Sequence, residues 1–487
     1  MKRLLLVPVL VAALLCLLAA PALASPKTFY VSYTGKHDYT TKIQKAFNAA
    51  VKAGPDSTVQ LAAGHFYINN IVVRNFDGTF KGAGEHKTVI DCLRGLDPSL
   101  PGVTLLSAPD LNPWTFLVGF VGGDVRASDM SFDITAFSPV DAASNGDSDV
   151  LQDIVLVIGN PDASSAFRHV SITAGAGNDG GLNADEDLMI TGHASHDLNG
   201  NPTSFPAIHG SESVCDCSFV GHDGLQVNGL TNGRLTVSGS VFDDTVLGCL
   251  FDDSARGSQI VVSDNQMQAD AWGDVVLYQG WVASAGAGAG LPPLPAPHYL
   301  IANNDLLAGP LLSDGILVSG ANGVFVEDDS PLYGAPNRLD AVIADNNITL
   351  DNGGWDGGID DIYAQGIKVL GNRISGTGLA GIDVGAAASL DGVQSEPCSG
   401  WQIIGNDVSG VTATGEQYGG VPTAQIWLGP DADHCLVVGG CRPTTVLDQG
   451  TKDILINVTK LADPPAAAAK PMNSLKQLKQ LKGMMLP

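Results

Sequence analysis

Between residues 260 and 410 one pattern of apolar and polar positions recurs. An apolar pair is followed by a small or turn residue, an asparagine, one further residue and another apolar. It reads VVSDNQM at Val261–Met267, LIANNDL at Leu300–Leu306, VIADNNI at Val342–Ile348, KVLGNRI at Lys368–Ile374 and QIIGNDV at Gln402–Val408. The asparagines stand at 265, 304, 346, 372 and 406, spaced by 39, 42, 26 and 34 residues. SVCDCSF (Ser213–Phe219) and TVSGSVF (Thr236–Phe242) share the frame at spacings of 23 and 25 residues. A short alternating strand often follows, as in GLQV, GCLF, DVVL, GILV and GIDV. Alternation of this kind turns one side of a strand inward. A minimal period of 23–26 residues, lengthened irregularly by loops, predicts the coils of a parallel β-solenoid. Each coil buries its apolar side only by stacking on its neighbours. An asparagine at the same bend in successive coils would bond the amide above and the carbonyl below, closing groups otherwise buried unpaired. A two-sheet sandwich is the rival, and it has no need of an equivalent asparagine per turn.

Helical spacing occurs near the start. Thr40 or Thr41 is placed to cap a helix, Ile43, Ala46, Phe47 and Ala50 share one face, and Gly54-Pro55 ends it. Alternating strands follow. The succession IQKAFNAA, VQLAAGHFYI and GTFKGAGEHKTVI, leading into the asparagine-bearing coils, resembles the right-handed parallel β-helix proteins of the pectate-lyase-like superfamily. The resemblance runs from Lys27 to about Val458. It implies an all-β, right-handed parallel β-helix whose N-terminal α-helix caps the open end and hides a sticky edge. That superfamily holds lyases, hydrolases, epimerases, phage tailspikes and adhesins, so the fold leaves the activity open. The expected organisation is a signal peptide over 1–24, a cap helix and first coils over 25–95, the β-helix body over 96–460 and a tail over 461–487.

Lys2 and Arg3, an apolar run from Leu4 and the Ala22-Leu23-Ala24 site have the layout of a secretory signal peptide. No later stretch is long and apolar enough to span a bilayer. Removing the leader moves the net charge from −26 to −28, a balance that disfavours nucleic acid and anionic membranes as partners. Of the 51 acidic residues only six are Glu, and Asp belongs in turns, where its short carboxylate bonds nearby amides. Seven cysteines follow the leader, an odd number. Cys435 and Cys441 are close enough to close a small disulfide loop, and Cys215 and Cys217 suit packing in a strand better than a metal site. Ser284–Pro297 is read as an insertion between coils. In the tail, Ser474 could cap a short helix with Leu475, Leu478, Leu481 and Met485 on one side; a mobile tail and docking onto the acidic body or the last coil are both open.

A solenoid face is long and ridged and suits an extended polymer, so a polysaccharide or glycan is the expected partner. Aligning the coils with Leu225 and Val227 inward also turns Cys249, Phe251, Val275 and Leu277 inward. Gln226, Asn228, Leu250, Asp252, Val276 and Tyr278 then face out. Just before these strands lie His222-Asp223, Asp243-Asp244, and Asp270 with Trp272; Arg256 follows shortly after Asp252. The candidate catalytic set is Asp223, Asp243, Asp244, Asp252, His222 and Arg256, with Trp272, Tyr278 and Asn228 binding substrate. Asp252 is expected to face solvent in a groove beside Asp244 and Asp223. Three chemistries are open. A glycosidase would use one carboxyl as acid and another as base or nucleophile. A lyase would use Ca²⁺ on clustered Asp to neutralise a uronate, supported by Arg256. A non-catalytic adhesin would stack sugars on Trp272 and Tyr278. Against the resembling polygalacturonase pattern (Asn-Thr-Asp, Asp-Asp, Gly-His-Gly, Arg-Ile-Lys), FDD matches the second element and GHDG (Gly221–Gly224) loosely the third, in reversed order; the other two are missing. Basic residues are sparse in mid-chain, which counts against a strongly anionic substrate. His193, His196 and His209, and the acidic Gly177–Asp187, are the remaining metal candidates, and a structural or metal-related role is a further alternative.

Overall fold

The computed structural model describes residues 26–97, 99–100, 116–135, 151–159, 163–174, 184–192, 195–196, 202–204, 210–228, 230, 232–252, 257–270, 273–279, 297–313, 316–320, 322–328, 339–351, 357–362, 364–385, 398–413 and 424–462. Thirty-four strands join in one continuous network, and every pairing within it is parallel across successive coils. The chain is a right-handed parallel β-helix, and the antiparallel layers of a sandwich are not what holds these residues.

One coil shows the plan. Ser211–Cys215 runs along a first face, the chain turns at Asp216-Cys217, and Ser218–Asn228 runs along a second face. That strand bends near His222-Asp223, where its register shifts, and continues along a third face. The next coil repeats this with Arg234–Ser238 and Val241–Asp252, and the following one with Gln259–Ser263, Gln266–Ala269 and Gly273–Gln279. Period-two alternation then stacks like on like. On the third face Leu225, Cys249, Val275, Val324 and Ile359 stand in register and are fully buried. Each aliphatic side chain removed from water in this way contributes about 1.5–3 kcal/mol.

The asparagines form the expected ladder between the first and second faces. Oδ1 of Asn304 accepts from the backbone amide of Asn265 at 3.1 Å, and Nδ2 of Asn304 donates to the Val262 carbonyl at 3.0 Å. Asn346, Asn372 and Asn406 repeat the pattern. The residue before each asparagine turns the chain with positive φ: Asp264, Asn303, Asp345, Gly371 and Gly405. Ser240 and Cys217 take the asparagine position in the two earlier coils, with Ser240 Oγ accepting from the Cys217 amide at 3.1 Å.

The helix Thr40–Ala53 buries Ile43, Phe47 and Ala50, and Phe47 packs on Phe76, Phe80 and Phe120. Neither threonine caps it. Tyr39 stands at the N-cap, and Asp38 Oδ1 accepts from the Thr40 amide at 2.7 Å. Gly54, at φ 101°, ends the helix as expected. The small disulfide loop does not form: Cys435 is a buried thiol and Cys441 an exposed one, and no disulfide joins the described cysteines. Among the described residues no helix is long and apolar enough to cross a membrane. The leader, all of the Ser284–Pro297 insertion except Pro297, and the tail from Asp463 lie outside the described residues.

Candidate active site

Carboxylates gather at the bend between the second and third faces, over four consecutive coils. They come from Ala184–Gly192 (Asp187), Ser218–Asn228 (Asp223), Val241–Asp252 (Asp243 and Asp244) and the turn and strand around Gly273–Gln279 (Asp270 and Asp274). Their exposure is graded. Asp243 is exposed, Asp223 and Asp270 are half-buried, and Asp187, Asp244 and Asp274 are buried.

The buried three occupy the interior of the corner. Phe242 points inward, so Asp244, two residues on, does too. Its neighbours in register are Gly221 and Ala269, with Ala308 a coil further on, and these small residues leave room for a carboxylate. Asp244 Oδ1 accepts from the Gly221 amide at 3.0 Å, whereas among the described residues its Oδ2 meets no donor. A Cβ on Gly221 would stand 2.5 Å from Asp187 Oδ1, and one on Gly224 would stand 2.4 Å from Asp244 Oδ2. Among the described residues neither oxygen of Asp187 or Asp274 meets a donor at hydrogen-bonding geometry.

Charge without solvent is costly here. Burial, then the charge of Asp223, pushes the Asp187 carboxyl well above the usual carboxylate range. Burial, then Asp187 and Asp223, does the same to Asp244. Asp274 is raised by burial first and by Asp270 second. The Val220 and Ala269 amides offset the Asp187 and Asp274 shifts only in part. At the surface, burial and then the neighbouring Asp243 push Asp270 up to about 6. In the layer beneath, burial favours the uncharged form of all three carboxyls, and the layer above holds Asp270, pushed up to about 6.

The sequence-derived set is only partly assembled. The inward alignment of Leu225, Val227, Cys249, Phe251, Val275 and Leu277 holds throughout. Asp244 does not line an open groove beside Asp223; it lies inside the solenoid, at 3% exposure. Asn228 is buried rather than presented to a ligand, and its Oδ1 accepts from Gln226 Nε2 at 3.3 Å. Leu250 and Val276, on the outer side of the third face, are buried as well. The backbones of His222, Asp252 and Tyr278 lie in strands, with Asp252 in register with Asn228 and Tyr278, but their side chains lie outside the described residues. So do Arg256 and Trp272, together with His193, His209, the side chain of His196 and most of Gly177–Asp187. Among the described residues no group of three or more His, Cys, Asp and Glu is placed to hold a metal ion.

Asp187 and Asp274 were not singled out from sequence. Each follows a break in alternation at the bend, and only the register of the folded coils reveals the side on which it falls. Asp244 had a legible signal, its separation of two from Phe242.

The fold and the graded carboxylates define a right-handed parallel β-helix protein with an acidic corner. No protein-family model matches the chain, and no curated protein matches it. Among solved structures it is similar to DFA-IIIase from Arthrobacter chlorophenolicus A6, in complex with DFA-III, at 11% identity over 90% of this chain and 99% of that one, with a TM-score of 0.51. It is also similar to the periplasmic alginate epimerase AlgG at 12% identity, 84% of each chain and a TM-score of 0.47. A polygalacturonase from Erwinia carotovora follows at 11% identity, 90% of this chain and 94% of that one, with a TM-score of 0.29. The likeness to DFA-IIIase establishes the fold and nothing further.

Proposed function

We propose that this is an exported enzyme that cleaves glycosidic bonds in an extended carbohydrate polymer, with Asp270 as general acid and Asp243 as the carboxylate that works opposite it. The observation that carries this reading is their difference of environment on adjacent coils. Asp243 is exposed, while Asp270 is half-buried and pushed up to about 6 by burial and by Asp243 itself. Two neighbouring carboxyls whose environments separate their proton affinities are the arrangement that acid–base cleavage needs. Asp270, pushed up to about 6, keeps its proton in mildly acidic solution and can deliver it to a leaving oxygen, while Asp243 serves as base or nucleophile. The buried Asp244 and Asp187 touch no substrate; Asp244 positions the strand below through the Gly221 amide.

Hydrolysis is favoured over elimination because the charged side chains described at the corner are acidic, and a polyuronate would meet repulsion there. The test is a panel of neutral and charged polysaccharides, read for new reducing ends and for unsaturated-product absorbance, with and without chelator. Reducing ends without absorbance, rising as the pH falls towards 6, support hydrolysis. Asp270→Asn and Asp243→Asn should each lower kcat by roughly 10²–10⁴-fold. Silence on every polymer together with retained glycan-array binding would replace the enzyme with a binding protein. Export is tested by mass spectrometry of the secreted chain, which should begin at Ser25.

A further inference from the structure

The first face changes character along the solenoid. Over the early coils its outward positions are mostly polar: Thr58, Thr79, Arg126, Ser213 and Thr236, with Tyr30 and Ala166 the apolar exceptions. Over the last four coils they are Lys368 and Leu370, Gln402 and Ile404, Leu436 and Val438, and Ile454 and Ile456, so the apolar share grows until both positions are apolar, while the alternate residues Val369, Ile403 and Val437 fill the core. Ile454 is 58% and Ile456 49% exposed, the other four apolar residues are half-buried, and the six form one continuous stripe across four coils. Strand Ile454–Ile456 is the last on this face and, among the described residues, pairs on one side only. An apolar stripe ending in an unpaired edge is a surface that folded proteins ordinarily cover.

The order of the chain supplies the cover. Each coil runs first face, second face, third face and back to the first. Strand Thr459–Lys460 lies on the third face, so after Leu461 the chain leaves beside the unpaired edge at Ile454–Ile456. Residues 463–487 lie outside the described residues. Their sequence places Leu475, Leu478, Leu481 and Met485 at helical spacing and carries four Lys against one Asp. A 13-residue helix is about 20 Å long, enough to cross the roughly 14 Å that separate the first and fourth coils at about 4.8 Å per step. The dozen residues between Leu461 and Ser474 reach up to about 40 Å. Exposed Asp345 stands at the edge of this face one coil before Leu370, on a body whose balance is strongly acidic.

We propose that residues 474–486 dock as an amphipathic helix on the apolar stripe of the last coils, their leucines covering Ile454 and Ile456 and their lysines turned towards the acidic flank. The test is hydrogen exchange on the full chain and on a full chain carrying Leu475→Glu, Leu478→Glu and Leu481→Glu. These substitutions lie outside the solenoid core, so the fold is retained. At least a tenfold faster exchange of Ile454–Ile456 in the variant, with a rise in dye binding to exposed apolar surface, is the expected result. In a Cys441→Ser background, Ile456→Cys with Leu478→Cys should cross-link within one chain. Unchanged exchange with no cross-link overturns the proposal. So does a dimer by light scattering that Ile454→Lys dissolves, which would assign the stripe to a second copy. Binding of the full chain to anionic phosphatidylglycerol vesicles that the three glutamates abolish, without any change in exchange, also overturns it.

Discussion

The Asp244 carboxylate accepts a hydrogen bond from the Gly221 amide at 3.0 Å, across two adjacent coils and inside the solenoid wall. The same side chain therefore satisfies one backbone donor and imposes a buried acid. Asn keeps the acceptor and removes the acid, whereas Ala removes both. Asp244→Asn is expected to raise the Tm at pH 8, where holding the native carboxyl uncharged costs free energy, and to leave it nearly unchanged at pH 4.5. Asp244→Ala should be less stable than Asp244→Asn by about 1 kcal/mol at both pH values, because it loses the hydrogen bond with the Gly221 amide. Thermal melts of the three proteins at the two pH values check this.

The buried carboxyls set the sign of the pH dependence. Asp187, Asp244 and Asp274 are raised by burial, Asp361 is raised to about 7 by burial, and Glu212 to about 7 by burial. A carboxyl raised in the folded state gives stability that is fully present below its unfolded pKa and is lost as pH climbs towards the folded value. For Asp361 the loss amounts to about 4 kcal/mol by pH 8. Asp129, Asp407 and Asp433 act oppositely: hydrogen bonds and nearby cations lower them, and they lose their contribution as pH falls through the folded values. The Tm is expected to peak on the acid side, near pH 4–5, and to fall steadily to pH 8.5. A flat profile across that range would show that the interior carboxyls are not held as the burial demands.

The architecture was legible because its signal is periodic. The recurring asparagine and the alternation about Leu225, Cys249 and Val275 each report a spacing, and a spacing survives irregular loops. The acidic corner was legible only in outline. Asp243 and Asp244 stand side by side as candidates, yet the parity that buries Phe242 also buries Asp244 and leaves Asp243 exposed. Asp187 and Asp274 stand where a strand bends, so alternation carries no information across them. What decides their side is register with Gly224 and Gly248, a relation between coils rather than along the chain.

The ladder makes a position-dependent prediction. In the middle of it, Asn346 accepts from the amide and side chain of Asn304 and donates to the Ile301 carbonyl at 2.9 Å and to Asn372. Asn346→Ala strands several buried groups at once and should cost roughly 3 kcal/mol or more. Ser240 stands at the ladder's start, where its amide donates to Asn265 Oδ1 at 2.9 Å. Ser240→Ala should cost only about 1 kcal/mol, the net worth of its hydroxyl contacts. Denaturant midpoints of the two variants rank them.

Gly221 and Asp187 are coupled by space alone. All three heavy atoms nearest a Cβ at residue 221 belong to the Asp187 carboxyl group, at 2.5, 3.0 and 3.1 Å. Gly221→Ala therefore forces that carboxyl out of a corner with little room to yield, and overpacking of this kind costs about 1–3 kcal/mol. Removing the obstacle should remove the penalty. In the Asp187→Ala background, Gly221→Ala is expected to be neutral, so the two substitutions are far from additive, with a coupling of about 1–3 kcal/mol in a double-mutant cycle. The Asp187→Ala background should also gain stability at pH 8 relative to pH 4.5, since it lacks one buried acid. Additive effects of the two substitutions would place Asp187 elsewhere than against Gly221, and the layered corner would have to be redrawn.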